Sequence, residues 1–123
     1  MLEKIIENTS EYIDSMPKTE RKKYGQFFTS IETARYMAEL FEIPVIQDKI
    51  SILDAGAGSG ILSCAMIDRL EYIDTVKKIE VFCYETDRNV MSLLQKNLNI
   101  AKEFSSKEVD FVIKEDNYIL SQY

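Results

Sequence analysis

The 123-residue chain contains no histidine and no tryptophan. Lack of histidine removes the commonest general base, the commonest metal ligand and every His-based nucleophilic triad. Its two cysteines, Cys64 and Cys83, form no CxxC pair and stand among apolar neighbours. That placement favours small-hydrophobe packing over a thiol nucleophile or a disulfide, and free thiols fit a cytoplasmic location. No metal is expected. No apolar stretch approaches the roughly 20 residues of a membrane span, and the N-terminus lacks the apolar region of a signal peptide. No membrane partner is expected either. Positive charge is also short, with 15 Lys+Arg against 21 Asp+Glu and a net charge of −6. Phosphate contacts supply most non-specific nucleic-acid affinity, so this chain is poorly suited to gripping DNA or RNA unaided. What is present, 46% hydrophobic and 11% aromatic residues, fits a single globular domain. A chain of this length buries roughly 65% of the surface its unfolded form exposes.

Apolar periodicity over residues 3–16 (Ile5, Ile6, Tyr12, Ile13, Met16) predicts an amphipathic helix closed by Pro17. Residues 18–24 (KTERKKY) are basic and without apolar period, either a solvated connector or a phosphate-touching loop. Next, Gly25-Gln26-Phe27-Phe28-Thr29-Ser30 precedes a helical pattern with Ile31, Ala34, Met37, Ala38 and Phe41 on one face. Thr29 and Glu32 fit a capping box. The two phenylalanines are either core or staple residues, or the aromatic lining of a ligand-facing turn. After Pro44, residues 49–53 (KISIL), 79–84 (IEVFCY) and 109–113 (VDFVI) read as three strands. Helices alternate with them. One carries Ile61, Leu62, Ala65, Met66 and Leu70; the other carries Val90, Met91, Leu94 and Leu98, with Asp87 as its N-cap. Right-handed crossovers turn this alternation into an α/β fold with a parallel sheet of order 3-2-1, one half of a doubly wound nucleotide-binding fold.

Between the first strand and its helix lies Asp54-Ala55-Gly56-Ala57-Gly58-Ser59-Gly60, which holds three of the four glycines in the chain. Glycines permit a tight turn and close approach of a ligand to the backbone, and the helix start behind them has unpaired N–H groups. A G-x-G-x-x-G dinucleotide fingerprint needs a third glycine where Ile61 stands, and a P-loop needs a Gly-Lys-[Ser/Thr] close that is missing. Asp54 repels a pyrophosphate and suits an amine or sulfonium. Glu85, ending the second strand, is placed to accept from ribose hydroxyls, and Asp116, past the third, from an adenine amine. Each acid alone reads equally as a loop carboxylate or a cap. Together they stand at the carboxyl ends of three strands and describe a ligand with an amine, a ribose and an adenine: S-adenosyl-L-methionine. The fold expected is therefore a Rossmann-like one that binds S-adenosylmethionine.

Read together, RKKYGQFFT (residues 21–29) and DAGAGSG (residues 54–60) resemble the bacterial N6-adenine DNA methyltransferases of restriction–modification systems, over about residues 18–120. The resemblance implies that Phe27, Phe28 and Thr29 contact the methionine portion of the cofactor. It implies that Asp54, Ala55 and the loop bearing Gly56, Gly58 and Gly60 hold the amino and carboxylate groups. Glu85 matches the ribose-binding acid, with Thr86 beside the adenine, and Asp116 with Asn117 matches the residue that binds the adenine amine. Ser30 stands where the family usually opens its helix with proline.

The family's catalytic Asn-Pro-Pro-aromatic tetrapeptide does not occur here, since the chain has only Pro17 and Pro44. That motif presents hydrogen-bond acceptors to the target amine and an aromatic ring to the flipped base. No catalytic residue is therefore assigned. Residues 1–24 are expected to form an N-terminal helix and connector, and residues 25–123 a partial cofactor-binding domain of a larger enzyme. Such a chain alone is expected to be inactive, with duplex DNA engaged by the enzyme's C-terminal region. The first strand would remain an open apolar edge, which predicts a homodimer or limited solubility. Other readings are a methyltransferase acting on RNA, protein or a small molecule, and a non-catalytic cofactor-binding remnant. A dinucleotide-dependent oxidoreductase is disfavoured by Ile61 and Asp54.

Overall fold

The computed structural model describes residues 1–21, 28–44 and 46–116. Its elements are α1 (Leu2–Asp14), α2 (Ile31–Glu39), β1 (Lys49–Asp54), α3 (Ile61–Glu71), β2 (Lys78–Tyr84), α4 (Met91–Phe104) and β3 (Glu108–Lys114). The three strands form one parallel sheet in the order β1-β2-β3, as the alternation predicts. Strand composition explains the register. Ile50 and Ile52, Ile79 and Val81, and Val109 and Phe111 alternate with charged or polar residues, so one face of the pleat is apolar in all three strands. α3 and α4 pack on that face: Cys64, Ile67 and Leu70 of α3 and Leu94 and Leu98 of α4 meet Ile79, Val81 and Cys83 in the core. Both cysteines are fully buried there as packing residues. Burial pushes the Cys83 thiol up to about 12, so it stays protonated.

α1 contributes Leu2 and Ile5 to the same core. It ends at Asp14, two residues before the predicted limit, and its backbone closes on Ser15. Residues 18–21 are helical, where a connector without regular structure was expected. The predicted cap of α2 shifts by one residue: Ser30 is the N-cap, its hydroxyl accepting from the Thr33 N–H at 3.2 Å, in place of Thr29 with Glu32. Its buried face is also narrower than predicted. Ala34 and Ala38 are buried, whereas Met37 and Phe41 are exposed. Small residues let α2 lie close to α3, which leaves no depth for the longer side chains. Arg69 of α3 terminates α2 by donating to the carbonyls of Ala38 (2.6 Å) and Phe41 (2.5 Å). Asp87 does cap a helix, accepting from the Asn89 N–H at 2.9 Å, but the element is a single 3₁₀ turn, Arg88–Val90, that leads into α4.

Besides the outer edge of β3, two surfaces of the sheet have no strand or helix laid against them among the described residues. One is the outer edge of β1, bordered by a depression of about 240 Å³ lined by Phe41, Ile43, Pro44 and Met66. The other is the face away from α3 and α4. There Leu53, Phe82 and Val112 are 51%, 37% and 47% exposed and stand side by side across the three strands. Parallel sheets are normally covered on both faces. No helix among the described residues is long and apolar enough to cross a membrane.

Candidate functional site

The glycine loop runs from the end of β1 to the start of α3, and two anchors hold its first half to β2. Ala57 donates its N–H to the Tyr84 carbonyl (3.1 Å), and Gly58 donates to Glu85 Oε1 (2.7 Å). The other oxygen, Glu85 Oε2, accepts from the N–H groups of Thr86 and Asp87, both at 3.0 Å. A carboxylate offers about four lone-pair sites, so three of Glu85's are already used by backbone. It therefore binds the loop first, and a ribose finds one site open unless Gly58 is released.

The glycines have separate reasons. Gly58 (φ +54) and Gly60 (φ +83) both occupy the left-handed region that side-chain-bearing residues avoid. A Cβ on Gly60 would stand 2.8 Å from Leu94 Cδ1. Its missing side chain thus serves packing against α4 as well as the tight turn that the spacing predicts. Gly56 is the open position: a Cβ there meets nothing within 4 Å. A cavity of about 90 Å³ lies between this loop, Phe28 and Thr29, with Asp54 at its base and Ile61 and Leu62 on its helix side. Ligand pockets usually enclose about 300–1,000 Å³, so this one takes the end of a ligand, not the whole.

Asp54 is buried, and Ser63 Oγ of α3 donates to its Oδ2 at 2.7 Å. Burial raises its pKa above the usual carboxylate range, with the nearby Glu85 charge adding to the rise; Ser63 and the Gly56 N–H oppose it. A buried acid in a cleft, with no ion-pair partner among the described residues, favours a positively charged group arriving there. Phe28 meets Tyr12 of α1 edge-on, with centroids 6.4 Å apart, and the Tyr12 hydroxyl donates to the Asn89 carbonyl (2.8 Å). α1 and the turn before α4 thereby frame the aromatic wall.

The structure brings together Phe28, Thr29, Asp54, Gly56 and Gly58 around the cavity, with Glu85 behind the loop. Ala55 and Thr86 are exposed and do not line the cavity. Gly60 is buried under α4. Asp116 is exposed beyond the end of β3 and does not line the cavity. Phe27 and Asn117 lie outside the described residues. Ser63 escaped the sequence reading, although a lone hydroxyl in the apolar run of α3 was its signal. Asn97, whose side chain reaches the loop from α4, also escaped it.

A parallel sheet of order β1-β2-β3 with helices between its strands, a glycine loop after β1 and an acid directly after β2 define a Rossmann-like methyltransferase domain, and its cofactor is S-adenosyl-L-methionine. The residues fit that group at its amino-acid end: an open glycine, a small cavity and a buried carboxylate with no ion-pair partner among the described residues. The family model described as N-6 DNA Methylase matches residues 4–120, and the chain belongs to this family. Type II methyltransferase M.PstI of Providencia stuartii is 33% identical over 99 residues, 80% of this chain and 19% of that protein. Type II methyltransferase M.BsuBI of Bacillus subtilis is 31% identical over 102 residues, again 80% and 19%. Ribosomal RNA small subunit methyltransferase A of Fusobacterium nucleatum is 33% identical over 96 residues, 78% of this chain and 31% of that protein. A crystal structure from Klebsiella pneumoniae described as an O-methyltransferase superposes over 98% of this chain and 44% of its own, with a TM-score of 0.54 and 15% identity. The chain thus spans about a fifth of the length of the type II methyltransferases it matches.

Proposed function

We propose that this chain is the cofactor-binding portion of a site-specific DNA adenine-N6 methyltransferase of a restriction–modification system. The observation that carries the reading is the match of the DNA-methylase family model across both the GQFFT segment and the glycine loop, residues 4–120, supported by two type II relatives. When bound, the cofactor supplies a methyl group on a sulfonium. Asp54 attracts the amino group, the loop at Gly56 and Gly58 admits the amino-acid end, and Phe28 excludes water beside the methionine stem. Glu85 accepts from the ribose, and Asp116 takes the adenine amine. Positioning is the chain's contribution, since the reactive group belongs to the cofactor.

Base flipping and acceptance of the target amine need groups that this chain does not carry, and a net charge of −6 gives it little hold on phosphates. The 123 residues alone therefore bind cofactor without turnover. Duplex DNA is engaged by other parts of the protein that carries them. The ribosomal RNA methyltransferase relative, 33% identical, favours RNA as a second acceptor reading. Transfer of a labelled methyl group by the protein that carries this chain separates the two. Adenine-containing duplex DNA is the expected acceptor, with no transfer to the same duplex already N6-methylated. Transfer to ribosomal RNA alone would replace the first reading by the second.

A further inference from the structure

Two buried asparagines link α1, α4 and the glycine loop. Asn97 is 0% exposed and stands on the inward face of α4 between Leu94 and Leu98; Asn8 of α1 is 3% exposed. Asn97 Nδ2 donates to the Ser59 carbonyl at 2.8 Å, and its Oδ1 accepts from Asn8 Nδ2 at 3.2 Å. We infer that Asn97 is a positioning residue for the glycine loop, kept in its working orientation by Asn8. The inference rests on the reading of that loop as the cofactor site.

Three features carry it. Ser59 lies between Gly58 and Gly60, both at positive φ, in the stretch of loop where the backbone is freest to rotate. The peptide unit is rigid, so capturing the Ser59 oxygen also aims the Gly60 N–H, which donates to the Ala57 carbonyl at 2.8 Å. One amide on α4 thus sets the loop immediately before the first turn of α3, where Ser59 lines the cavity. Second, both partners favour one orientation of the Asn97 amide: reversed, its oxygen would meet the Ser59 carbonyl and its nitrogen the Asn8 nitrogen. Third, this arrangement costs stability. Asn8 Oδ1 is buried with no hydrogen-bond partner among the described residues. A buried polar pair that served packing alone would be replaced without loss by apolar groups of the same shape. Its presence is accounted for by the carbonyl it holds.

The test uses the 123-residue chain with Asn8→Leu, Asn97→Leu and the double variant. S-adenosylhomocysteine affinity, thermal midpoint and amide exchange at Gly60 and Ile61 without ligand are measured on each. Removing one buried hydrogen bond predicts about a tenfold loss of affinity in Asn97→Leu and in the double variant, and under about threefold in Asn8→Leu. Gly60 exchange accelerates in the same two proteins. The double variant has a thermal midpoint no lower than that of Asn97→Leu, since the Ser59 carbonyl loses its donor in both, and it still binds weakly, whereas Asn8→Leu lowers the midpoint and keeps its affinity within that limit. Wild-type affinity in the double variant, or affinity that follows the midpoint across all four proteins, would overturn the inference. If the wild type binds no S-adenosylhomocysteine, the cofactor reading of the loop fails separately. Gly60 exchange then decides for Asn97, and an unchanged rate counts against it.

Discussion

Asp54 carries the electrostatics of the site. Its carboxyl is buried, bonded by Ser63 and held above the usual carboxylate range. Because the folded chain binds this proton more tightly than the unfolded chain does, stability falls as pH rises from the ordinary carboxylate value through the raised one. An ammonium group bound beside it reverses the shift, so binding releases a proton within that window. Cofactor affinity is accordingly expected to rise with pH across the window and to level off above it. Calorimetry in two buffers of different ionisation enthalpy measures the proton release directly. Asp54→Asn, similar in shape but uncharged, is expected to lose the pH dependence and about tenfold in affinity, near 1.4 kcal/mol. The glycines divide at the same scale. Gly58→Ala meets only Phe28, at 3.9 Å, and is expected to cost about 1–2 kcal/mol from its positive φ. Gly60→Ala adds the Leu94 clash and is expected to cost about 2–4 kcal/mol. Urea denaturation of Gly60→Ala, Leu94→Ala and their combination tests the cause: the double variant should lose less than the sum of the two.

Among the elements, the strands and the glycine loop were legible because their signals are local. β-branched alternation marks a pleated surface, and a loop with three glycines admits few other meanings. α2 was read less well. Periodicity alone makes Met37 and Phe41 core residues, but Ala34 and Ala38 bring the helix so near α3 that only small side chains fit beneath it. Its cap was misplaced by one residue because Thr29 and Ser30 are both competent caps, and the backbone geometry selects Ser30. Ser30→Ala is expected to destabilise the chain by about 1 kcal/mol and Thr29→Ala by much less, as thermal denaturation would report. Contacts between residues far apart in sequence were not legible. Nothing local to Glu85 announces the Gly58 N–H it accepts, 27 positions away, nor does anything local to Asn97 announce Ser59. A polar residue on an apolar helix face reads as a surface residue until the neighbour is known.

At the scale of the molecule, one face of the sheet is packed and the other is bare among the described residues. The row Leu53, Phe82, Val112 and the edge of β1 are apolar surfaces of the kind that recruit another chain. The proposal that β1 pairs with a second copy predicts a sedimentation coefficient that rises with protein concentration. Ile52→Lys, on the edge strand but on its packed side, is a poor probe because it disrupts the core. Leu53→Lys is the informative one and should lower the association. A coefficient independent of concentration in the wild type would count against pairing.

The central claim is that the loop after β1, with Asp54 and Glu85, binds S-adenosyl-L-methionine. Titration of the chain with S-adenosyl-L-methionine, S-adenosylhomocysteine and NAD, alongside Asp54→Ala and Glu85→Ala, tests it most directly. Binding of the first two ligands but not of NAD, weakened in both variants, is the predicted result. Binding of NAD in their place, or equal affinity for S-adenosylhomocysteine in wild type and both variants, would contradict it.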